Sequence, residues 1–484
     1  MSTDPGDVWG LPRQAVGSLG HRLYAFWERF RDDFRTTTRD GSDYAYHYLS
    51  GLLRMDTQRH FAGIGREVGV SGQNLQHFMS ESPWSGPAVC RRVQEELKAT
   101  PKLTAGGVLL IDESADERAG AKSAGAGRQY NGRLGKVEMS QVAVRLSYLN
   151  LKVAQGFWSW IDGALFLPEV WFGTSHEKLR QRLGVPREMH FKTQVELAWE
   201  LIERALAADL PFELLGFDCL YGRSGELRAQ VRQAGKLYMA EVPADTQVYL
   251  DKPLLGVPAR QSQRGRKPSA IQVLAGEAVR VDRLSEQLPW QAVQVRATDR
   301  GELCDPFAAC RVWTVHAGEA VEEWLVMREE AHGKHAYALC NASGEASLEQ
   351  LAGWKCQRYF IERSNQDAKS ELGWDELRAQ KYRAWEHPLA LTVLASWFIA
   401  QTKYEWAREY GRDPALLQEL ATEVLPALSV ANVRTLLRAV MPLRQMSEAQ
   451  ATDLVIEHLL NRARSRKSRL KKQRLVKRTV AGAT

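Results

Sequence analysis

Gly107-Val108-Leu109-Leu110-Ile111-Asp112 is a continuous apolar run closed by a carboxylate. A strand with one wet face alternates apolar and polar side chains. An unbroken apolar run of this length suits a strand covered on both faces, as in a sheet sandwiched between helices. The pattern recurs at Leu214-Leu215-Gly216-Phe217-Asp218, again with an aspartate at the end of the run. Two buried strands, each ending in a short acid, are therefore the frame from which the rest of the chain is read.

Between the two runs, 142–146 and 156–161 read as strands, and 193–207 as an amphipathic helix with Val195, Ala198, Trp199, Ile202 and Leu206 on one side. A helix (225–233) and a strand (237–242) follow the second run. Strand–strand–strand–helix–strand–helix is the order of an RNase H-like mixed sheet, in which the first strand lies beside the strand after the helix. That adjacency predicts that Asp112 and Asp218 meet. The fold class expected is α/β: an RNase H-like mixed sheet flanked by helices, interrupted by a β-rich insertion, with helical N- and C-terminal regions.

The insertion spans 243–334, where short period-two runs at 279–281, 291–295, 310–315 and 324–327 read as strands. It holds a basic loop with Arg260, Arg264, Arg266 and Lys267. Residues 335–339 return to the core sheet, and Ser347 caps a helix carrying Arg358, Glu362, Gln366 and Lys369. Those four are spaced by four, four and three, so one helix face would carry a carboxylate between cations. Segments 388–406, 413–428 and 430–440 read as helices. The domains expected are 1–100 (helical, DNA-binding), 101–242 (core, first part), 243–334 (insertion), 335–405 (core, second part), 406–461 (helical) and 462–484 (basic tail).

Within the first hundred residues, 62–78 fits two helices joined by a turn at Gly69, the second capped by Ser71. It would bury Leu75 and Phe78 and expose Gln73, Asn74, Gln76 and His77, side chains able to meet base edges and phosphates.

Composition sets outer bounds. Hydrophobic residues are 44% and charged residues 25%, ordinary globular values, and 484 residues allow several domains. The six cysteines include no CxxC pair and no Cys/His cluster at zinc spacing, which argues against a disulfide framework or structural zinc. Asp4 and Asp7 precede no apolar core run, so no signal peptide is expected, and 389–400 is too short to span a bilayer. The glycine-rich segment 120–135, with Lys122, Arg128 and Arg133, lacks the spacing of a nucleotide-binding loop. The net charge of +7 is a local property: ten Lys and Arg lie between Arg462 and Arg478 with no acid among them. Such a tail suits a salt-sensitive arm for nucleic acid.

Two strand-borne aspartates and a helix-borne glutamate make an all-oxygen set suited to Mg²⁺ or Mn²⁺. Two such ions can activate an attacking oxygen and stabilise a leaving oxygen of a phosphodiester. Arg358 and Lys369 would then hold phosphates.

Taken together, 110–114, 125–130, 216–222 and the Arg358-x3-Glu362-x6-Lys369 spacing resemble the DDE transposases of bacterial insertion sequences, the group with a β-rich insertion before the catalytic glutamate. The likeness covers roughly residues 50 to 405. It implies a metal-dependent endonuclease and strand transferase that binds the terminal inverted repeats of its own element, cleaves them, and joins the 3′-OH ends to target DNA. Asp112, Asp218 and Glu362 would be the metal-binding catalytic triad with two Mg²⁺ or Mn²⁺ ions. Double-stranded DNA would be the partner, contacted through Arg358, Lys369, Arg128, Gln73, Asn74, Arg264, Arg266 and Lys267. A homodimer on DNA, a bacterial cytoplasmic location with the nucleoid, and no membrane association are also implied. Relatives place a tyrosine seven residues before the glutamate, where this chain has Lys355, so a hairpin intermediate is not implied. Trp290, Trp313 and Trp324 are candidates for contacting a DNA end.

Two rival readings have their own signatures. A catalytically silent, transposase-derived DNA-binding protein would bind ends without cutting them. A paired-carboxylate glycosidase would need aromatic sugar platforms, and the cations around Glu362 fit phosphate better.

Overall fold

The ladder that starts at Val108 organises the computed structural model, which describes residues 16–132, 134–153, 156–259, 268–298, 301–376, 378–411, 414–419, 427–443 and 447–481. In chain order the strands are β1 (Val108–Glu117), β2 (Gly127–Asn131), β3 (Lys136–Asn150), β4 (Phe157–Leu165), β5 (Leu214–Phe217), β6 (Leu237–Val242), β7 (Gln247–Tyr249), β8 (Leu254–Gly256), β9 (Gln272–Ala275), β10 (Ala278–Arg280), β11 (Gln291–Thr298), β12 (Gly301–His316), β13 (Glu319–Glu330) and β14 (Lys334–Cys340). The described helices of eight residues or more are α1 (Leu19–Phe30), α2 (Ser42–Arg54), α3 (Phe61–Val68), α4 (Gly72–Ser80), α5 (Gly86–Lys98), α6 (Gln194–Ala207), α7 (Gly225–Gln233), α8 (Leu348–Cys356), α9 (Tyr359–Gln366), α10 (Arg383–Tyr410), α11 (Val430–Val440) and α12 (Glu448–Ala481). The chain divides into two units, Met1–Met441 and Pro442–Thr484.

β1 runs parallel to β5, which runs parallel to β6, while β3 is antiparallel to β1 and to β4. This is the mixed RNase H-like sheet expected from the element order. Val108, Leu110, Leu149, Leu214 and Met239 on one face pack against Leu351, Ala352, Cys356, Phe360 and Ile361 of α8 and α9. Because side chains alternate along a strand, Asp112 follows Val108 and Leu110 onto this face, toward the helix that carries Glu362.

Three expectations need correcting. β1 does not stop at Asp112. Its parallel pairing with β5 ends at Ile111–Phe217, but its antiparallel ladder with the long β3 continues to Glu117, which keeps the backbone extended. The strands of the 243–334 insertion are continuous with the core sheet. The order β10-β7-β12-β13-β14-β6 joins them edge-on to the core sheet, with β14 antiparallel to β6, and β8–β9 alone forms a separate pair among the described strands. Their buried side chains, such as Val248, Val281, Val312 and Leu325, cluster with Val242 of the core.

Helix α6 begins as expected, with Thr193 and Glu196 forming a capping box. Its buried face, however, is Leu197, Ala198, Leu201, Ile202 and Ala205, not the stripe through Val195, Trp199 and Leu206. The helix is apolar around most of its girth, and the small Ala198 and Ala205 let it lie close. Finally, Ser347 caps only α8, by accepting from Gln350 N at 3.2 Å. The chain then tightens through Phe360 N to Gln357 O and Ile361 N to Arg358 O bonds at the start of α9, and widens into a π-turn over Asp367–Glu371. The four-residue stripe therefore runs from the turn at Arg358 through α9 to Lys369 in the π-turn.

The expected two-helix motif is present as α3 and α4, with Gly69 at φ +76°, a left-handed position that a glycine occupies without strain. Leu75 and Phe78 are buried, while Gln73 and Asn74 are exposed. Ser71 occupies the N-cap position without a side-chain cap bond. The residues 448–481, including most of the expected basic tail, form the single helix α12 in the second unit. No described helix is long and apolar enough to cross a membrane.

Candidate functional site

Asp218 closes β5 and serves as the N-cap of the short turn Cys219–Gly222, its Oδ1 accepting from Leu220 N at 2.9 Å and Tyr221 N at 3.4 Å. Those bonds aim the carboxylate back over the end of β5, where Asp112 stands on the neighbouring strand. The turn packs directly on the sheet: a Cβ on Gly222 would lie 1.9 Å from Glu241 O on β6. Close backbone approach here requires glycine.

Among the described residues, one oxygen each from Asp112, Glu113 and Asp218 lies within 4.8 Å of the others. The expected meeting of Asp112 and Asp218 across the β1–β5 pair is therefore realised in the fold. Glu113 joins them; in the sequence it is one of three acids, with Asp116 and Glu117, that crowd Asp112 as alternatives for the first ligand, and Asp112 is preferred there because it directly ends the buried run.

Burial raises the Asp112 carboxyl well above its ordinary range, with Glu113, Asp218 and Glu362 adding repulsion against the pull of Arg358. Burial, and then Asp218, push Glu113 up to about 7. Asp218 is also raised by burial, against the backbone bond from Leu220 and the charge of Arg358. Glu113 Oε2 and the buried Tyr221 hydroxyl lie beside one another with no other hydrogen-bond partner. Three crowded, partly desolvated carboxylates fit a hard divalent cation, which would relieve their repulsion.

Glu362 does not belong to this compact group. Its side chain is 57% exposed and its Oε1 accepts from Arg358 Nη2 at 2.7 Å. Arg358 also pairs with Glu241 Oε2 at 3.0 Å, and the buried Lys355, at the position where a tyrosine was looked for, meets Glu241 Oε1 at 3.3 Å. Glu362 nevertheless shares an open cleft of about 410 Å³ with Asp112 and Glu113, and Gln366 and Lys369 line the same cleft. Glu241, on β6, had no sequence signal that tied it to this site.

The remaining expected contacts are scattered. Arg128 is exposed on the edge strand β2, near Glu138. Gln73 and Asn74 are on α4, where Asn74 Nδ2 donates to the Tyr44 hydroxyl at 3.2 Å. Arg264, Arg266 and Lys267 lie outside the described residues. Trp290 stacks near His335 and donates to Ser285 O, Trp313 lies under Lys252, and Trp324 donates to Ser343 O beside Arg311.

Residues 29–302, over half of the chain, match the family model of the DDE superfamily endonucleases, a stretch that contains Asp112, Glu113 and Asp218 and ends before Glu362. The chain is also similar to a protein of Microchaete diplosiphon described as "Probable transposase for insertion sequence element IS701", with 29% identity over 188 residues, 38% of this chain. The match spans 44% of that relative's length.

Proposed function

The chain belongs to the DDE superfamily endonucleases, and from that premise we propose that it is the DNA transposase of an insertion sequence. The observation that carries this reading is the convergence of Asp112, Glu113 and Asp218 where the parallel pairing of β1 with β5 ends, with Glu362 on the wall of the cleft that Asp112 and Glu113 line. Asp112 and Asp218 would hold Mg²⁺ or Mn²⁺, with Glu362 completing the set once it leaves Arg358. Two ions bound there would supply activation of the attacking oxygen and charge stabilisation on the scissile phosphate.

This chain's own residues do the positioning. Asp218 is fixed by two backbone N–H groups, and Asp112 by the rigid sheet. Arg358 and Lys369 are placed to bind phosphate oxygens at the cleft, and a phosphate taking Arg358 would free Glu362 to turn inward. Gln73 and Asn74 on α4 offer donors to base edges, and α12 carries the long cationic run. Cleavage at the terminal inverted repeats, joining of 3′-OH ends to target DNA, and dimerisation on DNA belong to the same reading.

The test is incubation of the purified protein with linear DNA carrying the element's ends, with Mg²⁺, with Mn²⁺ and with chelator. Metal-dependent nicking at the ends is expected, lost in Glu362→Gln while end binding persists in a gel-shift assay. Undiminished cutting by Glu362→Gln would remove Glu362 from the mechanism. A wild-type protein that binds ends but never cuts them with Mn²⁺ would be a silent DNA-binding descendant.

A further inference from the structure

Asn365 stands one turn beyond Glu362 on α9 and touches Asp112. Trp160 Nε1 donates to Asn365 Oδ1 at 3.0 Å, and Asn365 Nδ2 donates to Asp112 Oδ2 at 3.2 Å. An indole nitrogen is a donor only, so Trp160 dictates which end of the amide faces it and leaves the NH₂ group for the carboxylate.

Trp160 is itself immobilised. It is fully buried, and the guanidinium of the fully buried Arg145 lies 4.8 Å from its ring, 4.4 Å from that of Trp374 and 5.0 Å from that of Trp385. Trp374 Nε1 in turn donates to Asp116 Oδ2 at 2.9 Å. The segment that follows Glu362 is thus tied to β1 at two points, by Asn365 to Asp112 and by Trp374 to Asp116, beside three tryptophans gathered around one arginine.

We propose that Asn365 is a positioning residue that presents the Asp112 carboxylate to a divalent cation, with Trp160 setting the direction of its amide. The bond anchors Oδ2 and stops the buried carboxylate from turning about its terminal torsion, which fixes how its oxygens are offered to a cation. It also supplies a donor to a carboxylate that must be ionised to hold metal. The inference rests on Asp112 being a metal ligand, and the experiment separates the two.

Mn²⁺ binding is measured by titration calorimetry on the full chain for wild type, Asp112→Asn, Asn365→Leu and Trp160→Phe, with the thermal unfolding midpoint of each. Leucine is close to asparagine in size and removes both bonds; phenylalanine at 160 leaves Asn365 able to donate but free to flip. Asn365→Leu is expected to weaken Mn²⁺ binding about tenfold or more. Trp160→Phe is expected to weaken it by a smaller factor, with DNA-end affinity in chelator unchanged for both. Binding by a folded Asn365→Leu protein as tight as wild type would overturn the proposal, and a folded Trp160→Phe protein with unaltered affinity would overturn the part assigned to Trp160. Unaltered binding by Asp112→Asn would instead overturn the ligand assignment on which it stands.

Discussion

At the scale of single residues, the chemistry lies in a conflict between burial and charge. Asp112, Glu113 and Asp218 are pressed together by strand geometry although each raises the cost of ionising the others. A site of this kind trades stability of the metal-free protein for affinity toward a cation. Asp218→Asn is the cleanest probe, because asparagine can still accept from Leu220 N and cap the turn while removing one of the three charges. Its denaturant midpoint without metal should equal or exceed that of wild type, whereas cleavage should fall by about 10²-fold or more. A large loss of stability would show that Asp218 has a structural duty beyond its cap. Glu113 illustrates what sequence patterning cannot reveal: alternation along β1 would send it to the other face from Asp112, yet beyond the last β5 pairing both carboxylates reach the space at the strand end.

At the scale of elements, α10 holds the N-terminal helices to the sheet through an uncharged histidine. His387 is fully buried and stacks on Trp84 with ring centroids 3.7 Å apart, and its Nε2 lies 2.9 Å from Trp84 O, so that nitrogen donates. Burial lowers its pKa to about 3, against 6.5 for the free group. The unfolded chain therefore takes up a proton that the folded one refuses. His387 adds stability above pH 6.5 that is lost progressively as the pH falls toward about 3. The urea midpoint should drop between about pH 7.5 and about pH 5, and the drop should shrink in His387→Gln, which keeps an N–H donor. An identical pH dependence in the two proteins would mean that other groups govern the acid limb. The length of α10 also differs from its reading in sequence. It begins at Arg383, ahead of Pro388, where the sequence pattern starts the helix. The preceding turn of α10 is held by Trp385, whose ring packs on Arg145 and against Trp374, so burial prolongs the helix past its sequence signal.

For the whole molecule, charge is distributed unevenly between two units. The ten Lys and Arg between Arg462 and Arg478 belong to α12, in Pro442–Thr484, whereas the acid site is in Met1–Met441. Truncation after Met441 is expected to leave the unfolding midpoint of the first unit unchanged. It should weaken DNA binding and make the log–log dependence of affinity on salt shallower by several units, as fewer counterions are released. Filter-binding or anisotropy titrations across a salt series would measure this. An unchanged salt slope would mean that α12 does not contact phosphate. Chelating agents should leave this electrostatic term intact while abolishing cleavage, which separates binding from chemistry.

What the sequence determined by itself was whatever follows from local pattern: the buried strands at 108–111 and 214–217, the glycine turn between α3 and α4, the extent of α6, and the order of elements from which the β1–β5 neighbourhood follows. These depend on periodicity and on residues a few positions apart, where backbone sterics and burial of one face leave few alternatives. Tertiary structure alone decided that Glu113 completes the acid cluster, that Glu241 holds Arg358, the partner of Glu362, that Asn365 reaches Asp112, and that strands 243–334 extend the core sheet. Each of those depends on partners more than a hundred residues away or on how far an interstrand ladder runs. Hydrogen bonds and ion pairs of that reach are chosen by packing geometry, and no spacing along the chain encodes them.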